Sequence, residues 1–98
     1  MKSLQSIKNL IKKHQAALET EYSVKKLGIF GSYARRRAKK DSDIDILVEF
    51  SKTPDFFKFL DLEENLAKIL GIKVDLVTPK ALKPLIKNTI LKKTIFVY

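Results

Sequence analysis

The sequence predicts an α/β (α+β) fold, a small mixed β-sheet packed with helices in the order α-β-α-β-α-β-α. Three observations carry that reading. Apolar residues near the N-terminus recur at helical spacing, and so do those between Phe56 and Leu70. Short apolar runs at Val24–Phe30, Ile44–Phe50 and residues 72–77 alternate with those helical stretches. The segment joining the first two runs has no room for a crossover helix, so those two strands are expected to be antiparallel.

Taken in order, Leu4, Ile7, Leu10, Ile11, Ala17 and Leu18 predict an amphipathic helix over residues 3–21 with Ser3 as N-cap. The strand Val24–Phe30 follows, closed by Gly31-Ser32, with Ser32 placed to cap a brief basic helix over residues 33–39. That helix spans only ~10 Å at 1.5 Å per residue. Asp41-Ser42 marks a turn, and Ile44–Phe50 is apolar on both faces, as a central strand requires. After the loop at residues 51–54, a long helix runs from Phe56 and stops at Gly71. Residues 72–77 form a third strand, broken by Thr78-Pro79. Residues 81–93 read as a last helix, in which Pro84 is tolerable only in the first turn. Residues 95–98 fit either a terminal strand or an extended tail.

A chain of 98 residues makes one domain, 1–98, with 45% hydrophobic residues to fill a core. With no cysteine, neither disulfides nor thiolate zinc sites are available, and any metal must be held by oxygen or by the single histidine, His14. No stretch has the apolar length of a signal peptide or a membrane span, so a soluble cytoplasmic protein is expected. The net charge of +9, from 20 Lys+Arg against 11 Asp+Glu, favours anionic partners. For most of these charges the better reading is a solvated lysine surface, in a composition that also fits a thermophile.

The chemistry concentrates in GSYARRRAKKDSDIDILVEF, residues 31–50. Ten residues after Gly31-Ser32 come Asp43 and Asp45, one residue apart at the head of an apolar run. At period 2 on a strand their side chains share a face, with Cβ atoms roughly 6–7 Å apart. A turn aspartate hydrogen-bonding locally explains Asp41 and part of Asp43. It does not explain Asp45, set among Ile44, Ile46, Leu47 and Val48, where an unpaired charge costs several kcal/mol. Paired carboxylates beside a Gly-Ser loop suit hard divalent cations with nucleotide phosphates, and the chemistry suggested is transfer from a nucleoside triphosphate. Asp75 interrupts the third strand in the same way. Either it lies on a polar outward face, or it joins the other two as a ligand and accepts the proton of an attacking hydroxyl, supporting in-line transfer with two cations. Gly31 permits close backbone approach, and the Ser32 hydroxyl with the next helix's N–H groups can hold phosphates. Of the basic run Arg35, Arg36, Arg37, Lys39 and Lys40, Arg35 is the candidate phosphate contact. His14 reads as a surface histidine. Phe56, Phe57 and Phe59 read as core packing rather than a stacking platform, and a dedicated nucleic-acid module is unsupported.

Gly-Ser, ten residues, Asp-x-Asp and a downstream strand aspartate resemble the DNA polymerase β-type nucleotidyltransferase superfamily. The Ser-Tyr-Ala-Arg start and the Ser-Asp-Ile-Asp-Ile-Leu-Val strand look most like its minimal nucleotidyltransferase (MntA-like) branch, over nearly the whole chain. The resemblance implies a transferase that uses ATP and Mg²⁺, with two ions, and releases pyrophosphate. By analogy Gly31 and Ser32 bind the triphosphate, Asp43 and Asp45 hold the cations, and Asp75 completes the triad. It also implies an antitoxin that adenylylates a tyrosine of a HEPN-domain ribonuclease toxin, with which it can form a hetero-oligomer. One departure is that the family's Ala-Arg-Gly reads Ala-Arg-Arg here, with Arg36 in the glycine's place.

Three functions therefore compete: AMP transfer to a partner protein, neutralisation of a toxin by binding alone, and nucleotidyl transfer to a small molecule or nucleic acid. Buried carboxylates have no purpose in a pure binder, and the third option lacks an acceptor domain.

Overall fold

A computed structural model describes residues 2–98 of the chain. Two helices open it, α1 (Leu4–Lys13) and α2 (Gln15–Tyr22), where a single helix is expected. The break is His14, which pairs its backbone N–H with Ile11 instead of continuing the ladder. Its ring Nδ1 lies 2.9 Å from the Leu10 carbonyl, the acceptor its own amide would otherwise use. A carbonyl only accepts, so Nδ1 carries the proton. Ser3 caps α1 as expected, its side chain accepting from the Ser6 amide.

The sheet contains β1 (Val24–Phe30), β2 (Ile44–Phe50), β3 (Val74–Val77) and β4 (Ile95–Phe96), in the order β3-β2-β1-β4. β1 and β2 pair antiparallel, as the short connection requires. β2 and β3 pair parallel through the fifteen-residue crossover helix α4 (Phe56–Leu70). The two-residue β4 pairs antiparallel with β1, which resolves the tail in favour of a strand.

Alternate residues of β2 decide the layers. Ile44, Ile46 and Val48 face a core built with Ile7, Ile11, Leu18, Leu62, Leu66 and Leu70, all essentially inaccessible to solvent. Each such side chain contributes roughly 1.5–3 kcal/mol by burial. The three long N-terminal and crossover helices thus occupy one sheet face, and the polar positions of β2 and β3 are left on the other. Edge strand β3 is tied down by Glu63 of α4, whose carboxylate accepts from the Leu76 amide at 2.8 Å. Tyr22 links α2 to α4 by donating to Asp61 at 3.0 Å.

Four expectations need correction. The basic helix is a single turn, α3 (Gly31–Ala34), with Phe30 rather than Ser32 at its N-cap position. It stops early because Arg36 takes the left-handed conformation, φ 57°. β3 begins at Val74 rather than residue 72, because Gly71 in a left-handed C-cap turns the chain first. The last helix, α5 (Pro84–Lys93), begins three residues late: Pro79–Ala81 forms a 3₁₀ turn, and Lys83 is extended before Pro84. Finally, Phe59 packs edge-on against Phe50 at 6.3 Å between centroids, but Phe56 and Phe57 lie on the surface.

Arg36 supplies a direct test of that strained turn. The left-handed region costs a non-glycine residue roughly 1–2 kcal/mol, and glycine returns about 0.5–1 kcal/mol of that through its freer unfolded chain. Arg36→Gly is therefore expected to stabilise the fold by on the order of 0.5–1 kcal/mol in urea titration. A loss of stability would show instead that the Arg36 side chain holds the turn.

Candidate active site

Asp45 is the second residue of β2, and its Cα partners are Phe30 on β1 and Asp75 on β3. Residues in register on parallel strands project from the same face, so the Asp45 and Asp75 side chains stand together, opposite the core residues Ile44 and Val74. Asp43, two positions upstream, is near enough to act on Asp45 electrostatically. Asp43 and Asp75 are exposed, whereas Asp45 is half-buried. Burial, then the charges of Asp75 and Asp43, and a side-chain hydrogen bond with Asp75, push the Asp45 carboxyl above the usual carboxylate range. The Arg35 guanidinium offsets this only in part.

Gly31 follows β1 directly, at φ 71°, and opens α3. A Cβ at this position would run into Oδ2 of Asp45. The close approach that requires glycine is therefore to the carboxylate, beside the phosphate approach the sequence suggests. Ser32 sits in the single turn of α3, partly buried, and among the described residues its hydroxyl makes no hydrogen bond. A four-residue helix has little macrodipole, so what this turn offers an anion is its amides and that hydroxyl. Arg35 is exposed at the end of the turn. With Phe30 and Gly31 it lines a cavity of about 230 Å³ whose other wall is Thr89, Ile90 and Lys93 of α5. Sequence reasoning missed that wall. Lys93 is one of several lysines in its helix, and only the return of the chain onto the sheet brings it beside Gly31.

Among the described residues no three of His, Cys, Asp and Glu are gathered into a ready-made metal cage. Mg²⁺ seldom uses one, since it keeps several waters and is commonly bound by one or two carboxylates plus substrate phosphates. The half-buried Asp45, whose ionisation is opposed by two like charges, is the kind of group a hard divalent cation relieves. The oxygen donor set fits Mg²⁺ with a nucleotide.

A mixed sheet with helices on one face, carboxylates in register on the other and a Gly-Ser turn against them defines a nucleotidyl-transfer scaffold. The chain belongs to the nucleotidyltransferase domain family, which matches residues 11–97. It is 51% identical over 98 residues to a Methanocaldococcus jannaschii chain named "putative protein adenylyltransferase", covering 99% of this chain and 100% of that one. It is 42% identical over 97 residues to the protein adenylyltransferase MntA of Thermococcus cleftensis, covering 99% and 98%. A crystal structure of a toxin-antitoxin with AMP-PNP superposes with a TM-score of 0.75 at 26% identity, over 93% of this chain and 72% of that one. No helix among the described residues is long and apolar enough to cross a membrane.

Proposed function

We propose that this chain transfers AMP from ATP, with Mg²⁺, to a hydroxyl of a partner protein, and that the acceptor is a tyrosine of a HEPN ribonuclease toxin. The reading rests above all on Asp45, packed against Gly31, in register with Asp75 and resistant to ionisation. It is supported by the names of the relatives and by the toxin-antitoxin neighbour. ATP as donor sets the reaction in the cytoplasm, with residues 1–98 acting as one transfer domain.

Asp43 and Asp45 would hold the cations, with Asp75 as a further ligand, and the ions would neutralise the triphosphate's charge. Gly31 and Ser32 bind phosphate oxygens through backbone amides and the free hydroxyl, and Arg35 adds a charge-assisted contact. Asp75, the more exposed of the registered pair, takes the proton of the acceptor hydroxyl. That oxygen then forms a bond to the α-phosphorus, the bond from the α-phosphorus to the bridging oxygen breaks, and pyrophosphate leaves.

Thermal melts with Mg²⁺, with ATP and with both are expected to show a larger shift for the combination than for either alone. A ligand at a hundredfold excess over its dissociation constant stabilises the native state by ~2.7 kcal/mol. Incubation with Mg²⁺, ATP and the HEPN partner is expected to add AMP-sized mass increments to a toxin tyrosine. No extra shift for the combination, and no mass increment, would overturn the proposal.

A further inference from the structure

Two separate cavities lie near the carboxylates, one lined by Gly31, which packs against Asp45, and the other by Asp43 itself. Gly31 and Arg35 line the one beneath α5, whereas Asp43 lines another of about 680 Å³ that shares none of those residues. Three lysines from distant parts of the chain meet in the second: Lys2 before α1, Lys40 in the α3–β2 loop and Lys73 before β3. Lys2 and Tyr33 also line an adjoining cavity of about 360 Å³, where Arg36 adds a fourth cation. An in-line displacement brings its attacking and leaving oxygens to the phosphorus from opposite directions, so separate cavities at Asp43 and at the Gly31 turn that packs against Asp45 suit an acceptor and a donor.

We propose that the lysine cleft beside Asp43 seats an acidic polypeptide segment carrying the acceptor hydroxyl. The proposal rests on the transferase reading above and assigns the acceptor's side of that site. Its cations are interleaved with Asp41 and Asp43, a spacing that matches scattered carboxylates better than the continuous charge of a phosphodiester chain. A nucleic acid would also need an aromatic platform for its bases. Tyr33, the one aromatic residue lining the cleft, is buried to 5% exposure, so its ring is not offered. The attraction between spaced, exposed charges is screened by salt, with a Debye length of ~8 Å at physiological ionic strength.

The test uses fluorescent peptides with one tyrosine flanked either by glutamates or by lysines, together with a single-stranded RNA oligonucleotide. The glutamate-flanked peptide is expected to bind the wild-type protein at least tenfold more tightly than the lysine-flanked one, less so at high salt. The double variant Lys40→Glu/Lys73→Glu is expected to reverse that order while keeping the wild-type melting shift with Mg²⁺ and ATP. The milder pair Lys40→Gln/Lys73→Gln is expected to lose part of the preference, and it serves equally if the charge reversal disturbs folding. A preference unchanged in both variants, or RNA bound more tightly than peptide through the same lysines, would overturn the assignment. AMP transfer that is indifferent to the flanking charges would overturn it too, and would leave the transferase reading standing. Lysine-dependent peptide binding without any AMP transfer would instead support the cleft and sink the chemistry.

Discussion

Asp45→Asn is expected to abolish AMP transfer and, in the absence of nucleotide, to raise the melting temperature. The two effects have one origin. Burial and the charges of Asp75 and Asp43 hold the Asp45 carboxyl above its ordinary value of 3.8, so the folded state binds its proton more tightly than the unfolded chain does. Below that ordinary value both states are protonated and the group contributes nothing. As pH rises past it, the unfolded chain ionises first, and wild-type stability falls until the folded carboxyl has also lost its proton. The full destabilisation is present once the folded carboxyl has ionised too. The amide has nearly the same shape and no charge to desolvate, so the variant escapes it. The gain in melting temperature is expected to be small at acid pH and to grow towards neutrality. For a chain this short each 1 kcal/mol moves the midpoint by roughly 4–8 °C, which differential scanning calorimetry resolves. The same substitution removes a charge proposed to hold the cations, so transfer is expected to vanish in the mass assay. A variant no more stable than wild type would show that the carboxylate is already compensated. If Asp45→Asn left the toxin neutralised but unmodified, binding alone would be the function.

The same expected cost of an ionised carboxylate among apolar neighbours is what makes Asp45 stand out in the sequence. Asp45 interrupts a run of apolar, β-branched neighbours and is half-buried, a local conflict that a non-structural purpose resolves, whereas Asp75 interrupts its strand at an exposed position. β1, β2 and α4 were legible to the residue because their ends carry strong signals: Gly31, the Asp-Ser turn, and an αL glycine at 71. Elsewhere a local choice was decided by something distant or by a competing hydrogen bond. The His14 ring took the Leu10 carbonyl and split one helix into two. Arg36 adopted a glycine's backbone conformation and cut α3 to one turn. Phe56 and Phe57 begin a helix whose buried stripe is Leu62, Leu66 and Leu70, which leaves both rings outside the core. The lysines beside Asp43 and the α5 wall beside Arg35 carry no local signature whatever, since each is one of many lysines or a common aliphatic until the sheet brings it into place.

Gly31→Ala is expected to be as damaging as the loss of Asp45, for a different reason. The residue holds φ 71°, where a side chain costs roughly 1–2 kcal/mol in backbone strain. Its Cβ would also enter the space of Asp45 Oδ2, and that carboxylate cannot simply yield. On one side Asp45 is held by Phe30 across the antiparallel pair, the residue that leads directly into Gly31. On the other it is in register with Asp75, so retreat from the methyl group moves it towards a like charge. The relief available is to shift the turn itself, which displaces the amides and the Ser32 hydroxyl proposed to hold phosphate. Transfer is therefore expected to fall at least a hundredfold, about 2.7 kcal/mol of transition-state stabilisation or more. Unlike Asp45→Asn, the glycine variant is expected to melt below wild type by several degrees. Comparing the two by calorimetry and by AMP incorporation separates a charge effect from a steric one. If Gly31→Ala kept wild-type stability and transfer, the close packing of this turn against Asp45 would not be what organises the site.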